Sequence, residues 1–170
     1  MRWLTHQSCA VGIALCSHMS WIGVCAAFFG GILPDIFDQK MAKACSVTKK
    51  GQQRVFGQVH RGISHWFGLY VLLILALDRY MFQASVHAII LGLAIGALSH
   101  VLLDMLTPKG VPLLPLSKKW RLAIPVCSTG SVREYMFLVT LWVGFLFLLR
   151  HDLASLLDRV AKFLRAEAWF

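Results

Sequence analysis

The chain has 170 residues, 58% of them hydrophobic and only 15% charged, with a mean hydropathy of +0.66 and a formal charge of +9. Soluble domains carry about 25% charged residues, so the composition argues against an ordinary soluble enzyme and for one membrane-embedded domain over residues 1–170. The basic excess sits in no nucleic-acid-binding motif, so no nucleic-acid partner is expected; basic loops that set topology and meet anionic head groups account for it.

Residues 3–33 are apolar, but "SHMS" at 17–20 splits them into two pieces of about a dozen residues. Each reaches only ~18 Å as a helix and cannot cross ~30 Å of hydrocarbon. A re-entrant hairpin of two short helices is the expectation. His6, Gln7, Ser8 and His18 dilute the first piece and argue against a cleaved signal. Residues 65–82, 86–106 and 134–149 are expected to span, and Gly92 and Gly96 give the second span a close-packing seam. Residues 107–133 read as a proline-containing loop. The tail 150–170 places Leu153, Leu156, Leu157, Val160, Phe163 and Leu164 on one face of a basic amphipathic helix. The predicted fold is therefore all-α: an integral membrane bundle with an N-terminal hairpin, three spanning helices and an amphipathic tail. The five cysteines, odd in number and without CxxC spacing, read as small buried hydrophobes.

Loops 34–64 and 107–133 hold eleven of the seventeen Lys and Arg residues, against Arg79 alone in the turn 78–85. Both basic loops are expected on the cytoplasmic side of a multi-pass inner-membrane protein. That topology brings Asp35, Asp38, His60, His65, His100, Asp104 and Glu134 to one level, and the hairpin returns His6 to it. His100 and Asp104, four apart, share a helix face.

Imidazole and carboxylate together are first-row metal ligands. A His/Asp set can hold metal that activates water against a phosphoester, and ionisable groups at membrane depth are costly unless paired or metal-bound. His6, Asp35, His60, His65, His100 and Asp104 are the expected ligands of a divalent metal, zinc or manganese. Asp38 or Glu134 is a further ligand or the general base; Glu134 reads equally as an acidic residue at a helix N-terminus. Arg61 is placed to stabilise phosphate charge, and Thr107 to orient a carboxylate. His100 and Asp104 alone read equally as an ion pair between helices.

The segments "LPDIFD", "HRGISH", "GALSHVLLDMLTPKGVPLL" and "GSVREYMF" together resemble the bacterial LexA-binding, inner-membrane-associated hydrolases, also described as membrane-bound metal-dependent hydrolases. The resemblance runs from Thr5 to Phe137 and implies a helical inner-membrane protein distantly similar to zinc-dependent phospholipases C. Thr5-His6 matches the family's N-terminal Thr-His. Asp35 carries over from the family's Asp-Ile-Asp-His-Pro; the second aspartate is displaced to Asp38, and Gln39 follows where a histidine would stand. The expected function is a membrane-embedded, metal-dependent phosphoesterase acting on a membrane lipid or lipid-linked substrate at the cytoplasmic face, with "GVPLLPL" (110–116) as a lining for the lipid tail or a packed loop. The alternative is a non-enzymatic, membrane-tethered interaction protein with a relic metal site and a protein partner. A transporter fits less well, because its ionisable groups belong near the midplane.

Overall fold

The computed structural model describes the whole chain except residues 78, 81, 116, 156 and 159–170. Its described residues are mostly helical. Helix α1 (Trp3–Cys16) and helix α2 (Trp21–Gly30) flank a turn at 17–20, where His18 takes a left-handed φ of 51°. The Ser20 side chain caps α2 by accepting from the Gly23 amide. At 14 and 10 residues the two helices reach about 21 and 15 Å, and they pack against each other as the expected hairpin.

Pro34 opens α3 (Leu33–Cys45), which bends 46° away from α2. Thr48 caps α4 (Lys49–Val59), and a 3-10 turn (Ile63–His65) leads into α5 (Phe67–Leu77). Helix α6 (Ala84–Met105) is the centre of the bundle and contacts α1, α2, α3 and α5. A two-stranded antiparallel ribbon follows, β1 (Val111–Leu114) with β2 (Ser117–Leu122), pairing Val111 with Leu122. Ser131 caps α7 (Val132–Leu148), which packs on α1.

The structure departs from the expected fold in one place and leaves another unconfirmed. The fold is not all-α, because part of the loop 107–133 forms the ribbon; Val111 drops into the core beside Tyr70, Ala97 and Val101 and fixes it there. Three spanning helices are not confirmed either. Among the described residues α6, 22 residues and about 33 Å, is the one helix long and apolar enough to cross a membrane alone, and the bent pair α2–α3 has the same capacity if it acts as one span. Helix α5 has 11 residues and α7 has 17, because hydropathy alone does not set where a helix stops: after Leu77 the chain tightens, with Arg79 and Tyr80 donating to the carbonyls three residues back. Of the expected amphipathic tail, residues 150–155, 157 and 158 are helical; Leu156, Val160, Phe163 and Leu164 lie outside the described residues. All five cysteines are free.

The bundle closes on small residues. A Cβ at Gly96 would lie 2.2 Å from the Ala27 carbonyl oxygen, and one at Gly92 would lie 2.3 Å from that of Gly23. Backbone cannot yield as a side-chain tip can, so Gly96→Val is expected to cost about 1–3 kcal/mol. Thermal melts of detergent-purified protein should fall by several degrees for Gly96→Val. Gly144→Val, at a site where a Cβ meets nothing within 4 Å, should melt like the parent. Equal melts would contradict the close α2–α6 approach.

Candidate metal centre

The hairpin has a direct consequence. It runs α1 antiparallel to α2, so His6 near the start of α1 returns to the level where α2 ends at Gly30. There the His6 ring stacks on the His100 ring, centroids 3.8 Å apart. His100 comes from the last turns of α6, and its Nδ1 donates to the Gly31 carbonyl at 2.7 Å. That bond fixes the ring and leaves Nε2 as the ligating atom.

Asp35 and Asp38 are three apart on α3 and share one face. Between them they bracket two histidines. His60 Nδ1 lies 3.6 Å from Asp35 Oδ1 and 3.3 Å from Asp38 Oδ2. His65 presents Nε2 to Asp35 Oδ1 at 3.5 Å and Nδ1 to Asp38 Oδ2 at 3.4 Å. Asp104, one turn after His100, completes the cluster, 3.6 Å from His6 Nε2 and 3.7 Å from His65 Nε2. The six expected ligands are thus brought together, in two sets whose potential ligand atoms lie within 4.8 Å of one another: His6, His100 and Asp104; and Asp35, His60 and His65.

The donor chemistry fits a divalent cation. His6, His65, His100 and Asp104 are buried, and His65 Nε2, His100 Nε2 and Asp35 Oδ1 have no hydrogen-bond partner. These three atoms face one another, with Asp35 Oδ1 3.5 Å from His65 Nε2 and 3.7 Å from His100 Nε2. A buried polar atom left unpaired costs about 1–3 kcal/mol, and a cation held beside Asp35 Oδ1 could satisfy all three.

The three residues expected to carry catalysis are arranged differently. Asp38 is buried behind His65, where its Oδ1 accepts from the Ser64 hydroxyl at 2.6 Å. It orients the two histidines rather than facing the cavity. Glu134 lies apart from the cluster. Its carboxylate accepts from the Arg2 amide (2.6 Å), the Thr5 hydroxyl (2.7 Å) and the Gly130 amide (2.5 Å), which ties the N-terminus to the start of α7. Arg61 is at the site, held in a left-handed conformation at φ 57°. Its guanidinium pairs with Asp104 Oδ2 at 2.9 Å and donates to Thr107 Oγ1 and the Gly110 carbonyl. Thr107 in turn donates to the Asp104 carbonyl and so supports α6's last turn.

Arg121 on β2 donates to the same Gly110 carbonyl at 3.1 Å. Partial burial, and then the nearby Arg61, lower its pKa. Two guanidiniums therefore converge beside a cavity of about 390 Å³ lined by His6, Asp35, His60, Arg61, Asp104 and Lys109, among others.

Sequence reasoning missed the supporting groups. Trp3 Nε1 donates to Asp35 Oδ2 at 3.0 Å, and Ser64 Oγ lies 3.0 Å from His65 Nδ1. Ser64 stands inside "HRGISH" and was available as a signal; nothing in the sequence around Trp3 points to its partner 32 residues on.

Among the described residues the fold is mostly helical, with one apolar helix of spanning length and a buried His/Asp cluster at that helix's end, the arrangement of a helical protein with a candidate metal centre. The chain belongs to the YdjM inner membrane protein family, whose model matches residues 1–163. Over 130 residues it is 35% identical to the inner membrane protein YdjM of Escherichia coli K12 and equally to that of Shigella flexneri, a stretch covering 72% of this chain and 64% of either relative. The chain thus spans under two thirds of the length of the curated relatives it matches. No solved structure matches it.

Proposed function

We propose that this protein is a membrane-embedded, metal-dependent hydrolase, a phosphoesterase acting on a lipid or lipid-linked substrate at the cytoplasmic face of the inner membrane. The observation that carries the reading is the convergence of the unpartnered His65 Nε2, His100 Nε2 and Asp35 Oδ1 beside a cationic cavity. His6, Asp35, His60, His65, His100 and Asp104 hold the metal, zinc or manganese. When bound, such a metal supplies Lewis-acid polarisation of a phosphoryl oxygen and an acidified water.

The chain's own residues supply the rest. Arg61 and Lys109 line the cavity and draw an anionic head group into it. Arg61, fixed by Thr107 and Gly110, presents a pre-set guanidinium where charge develops on the phosphoryl oxygens. His60, the most accessible of the four clustered histidines, has Nδ1 against Asp38, which leaves Nε2 as its ligating atom. Asp38 holds that ring and the His65 ring in register.

Reconstituted into vesicles with a panel of phospholipids and lipid phosphates, the full chain is expected to release phosphate or a phosphorylated head group. Chelator should abolish release, and zinc or manganese should restore it. A metal-loaded protein that turns over no member of the panel would contradict the hydrolase reading and favour the membrane-tethered interaction protein.

A further inference from the structure

The cavity that holds the metal cluster has a second polar wall. Besides His6, Asp35 and His60, it is lined by Lys109 from the turn after α6 and by Ser128 and Thr129 from the loop before α7. The backbone of this wall is held in place. Gly110, at φ 58°, turns the chain into β1, and its amide donates to the Thr107 carbonyl at 3.0 Å. The Ser128 carbonyl accepts from the Ser131 amide at 3.1 Å and from the Ser131 hydroxyl at 2.6 Å. The side chains are uncommitted: among the described residues the Lys109 ammonium and the Ser128 and Thr129 hydroxyls have no hydrogen-bond or ion-pair partner. All three residues are exposed, so water satisfies them until a ligand takes its place.

The wall beside the metal cluster is the opposite case. Arg61 spends its guanidinium on Thr107, the Gly110 carbonyl and Asp104, and Thr107 donates to the Asp104 carbonyl. One cavity thus carries a committed inner wall and an available outer one. The segment "GVPLL", expected as a tail lining, contributes no residue to either and buries Val111 and Pro112 in the core.

Charge selects what the outer wall takes. Among the described residues that line the cavity, the carboxylates are Asp35 and Asp104, both expected metal ligands, and none is Trp, Tyr or Phe. A choline or ethanolamine head group brings a cation that finds neither a spare carboxylate nor an aromatic face there, and Lys109 repels it. A second anionic group instead meets one ammonium and two hydroxyl donors, a set suited to phosphate oxygens.

We propose that Lys109, Ser128 and Thr129 bind the second phosphate of a diphosphate head group whose first phosphate lies at the metal cluster beside Arg61. The substrate class is then a lipid diphosphate and not a zwitterionic phosphodiester. This rests on the reading of the cavity as a phosphoester site and narrows it from any anionic head group to one with two adjacent phosphates.

Soluble head-group analogues test this without turnover. The full chain in detergent is loaded with manganese, and binding of methylenediphosphonate, a diphosphate analogue that resists hydrolysis, is compared by calorimetry with binding of phosphoethanolamine. Metal content is measured after each titration. The parent is expected to bind methylenediphosphonate at least about tenfold more tightly, the equivalent of one charge-assisted contact. Lys109→Glu, at an exposed position outside the ligand set, should keep parental metal content and shift the ratio of the two affinities at least about tenfold toward phosphoethanolamine. Lys109→Arg, which keeps the charge, should keep the preference. Equal affinities in the parent would overturn the proposal. So would a ratio unmoved by Lys109→Glu, since the preference would then belong to chelation by the metal alone. If the preference and its dependence on Lys109 hold, but the vesicle panel with a lipid diphosphate added gives no hydrolysis, the outer wall stands and the hydrolase reading alone fails.

Discussion

Replacing His65 by alanine is expected to lower bound metal to below half of the parent's and to cut metal-dependent turnover by at least about a hundredfold, with membrane insertion intact. His65 is fully buried, and its Nε2 is one of the three unpartnered atoms at the centre of the cluster. Its other nitrogen is held by Ser64 and Asp38, so no neighbouring group can swing in to replace it. Asp38→Asn should act in the same direction but more weakly. It removes only the charge that orients His60 and His65, and groups in that position are worth about 10–100-fold in metal affinity. Metal content measured alongside activity distinguishes the two effects. A His65→Ala protein that keeps full metal and full turnover would return the histidine to a packing role.

The second large effect falls on Arg61 and on stability. Arg61 and Asp104 form a buried pair at 2.9 Å, with side chains 8% and 3% exposed. Removing one member of such a pair costs about 3–5 kcal/mol, because the other is left charged and buried. In a chain of this size each kcal/mol shifts the melting temperature by about 2–4 °C, so Arg61→Met should melt roughly 6–20 °C lower. Asp104→Asn added to Arg61→Met should recover part of that loss, since it removes the orphaned charge. Asp104 also lies 3.2 Å from the Met1 amino group and 3.6 Å from His6, so recovery should be incomplete. A single variant that melts within about a degree of the parent would show that the pair is not buried in solution.

The same contacts explain how far the sequence could be read. The apolar pieces on either side of "SHMS" are too short to cross a membrane, and that length argument alone returned His6 to the level of the cluster; the stacking of its ring on His100 is tertiary. Residue spacing placed Asp104 on the same helix face as His100, one turn on; that Asp35 and Asp38 also share a helix face comes from α3, a helix not among the predicted elements. What spacing could not give was the division of labour within each pair. Asp35 faces the cluster while Asp38 sits behind His65, a difference set by how α3 meets the 3-10 turn at Ile63–His65. Glu134 was equally readable as a ligand, a base or a helix-terminal acid, and its contacts with Arg2, Thr5 and Gly130 come from a tertiary approach that no local pattern signals. The ribbon was hidden by Pro112 and Pro115, which read as loop, although Val111 is buried and pairs with the exposed Leu122 across the two strands. The apolar run 65–82 gave hydropathy without helix ends, so α5 is far shorter than a span.

Elemental analysis of the detergent-purified full chain tests the central claim most directly. After equilibration with zinc or manganese and removal of excess metal, the parent protein is expected to retain a roughly stoichiometric amount of one of them, as four-ligand and three-ligand His/Asp sites do. The Asp35→Asn/His100→Gln double variant, which alters one residue from each ligand set, should retain none above buffer while remaining monodisperse. A parent protein at background metal content, or a double variant that binds as much metal as the parent, would contradict the account.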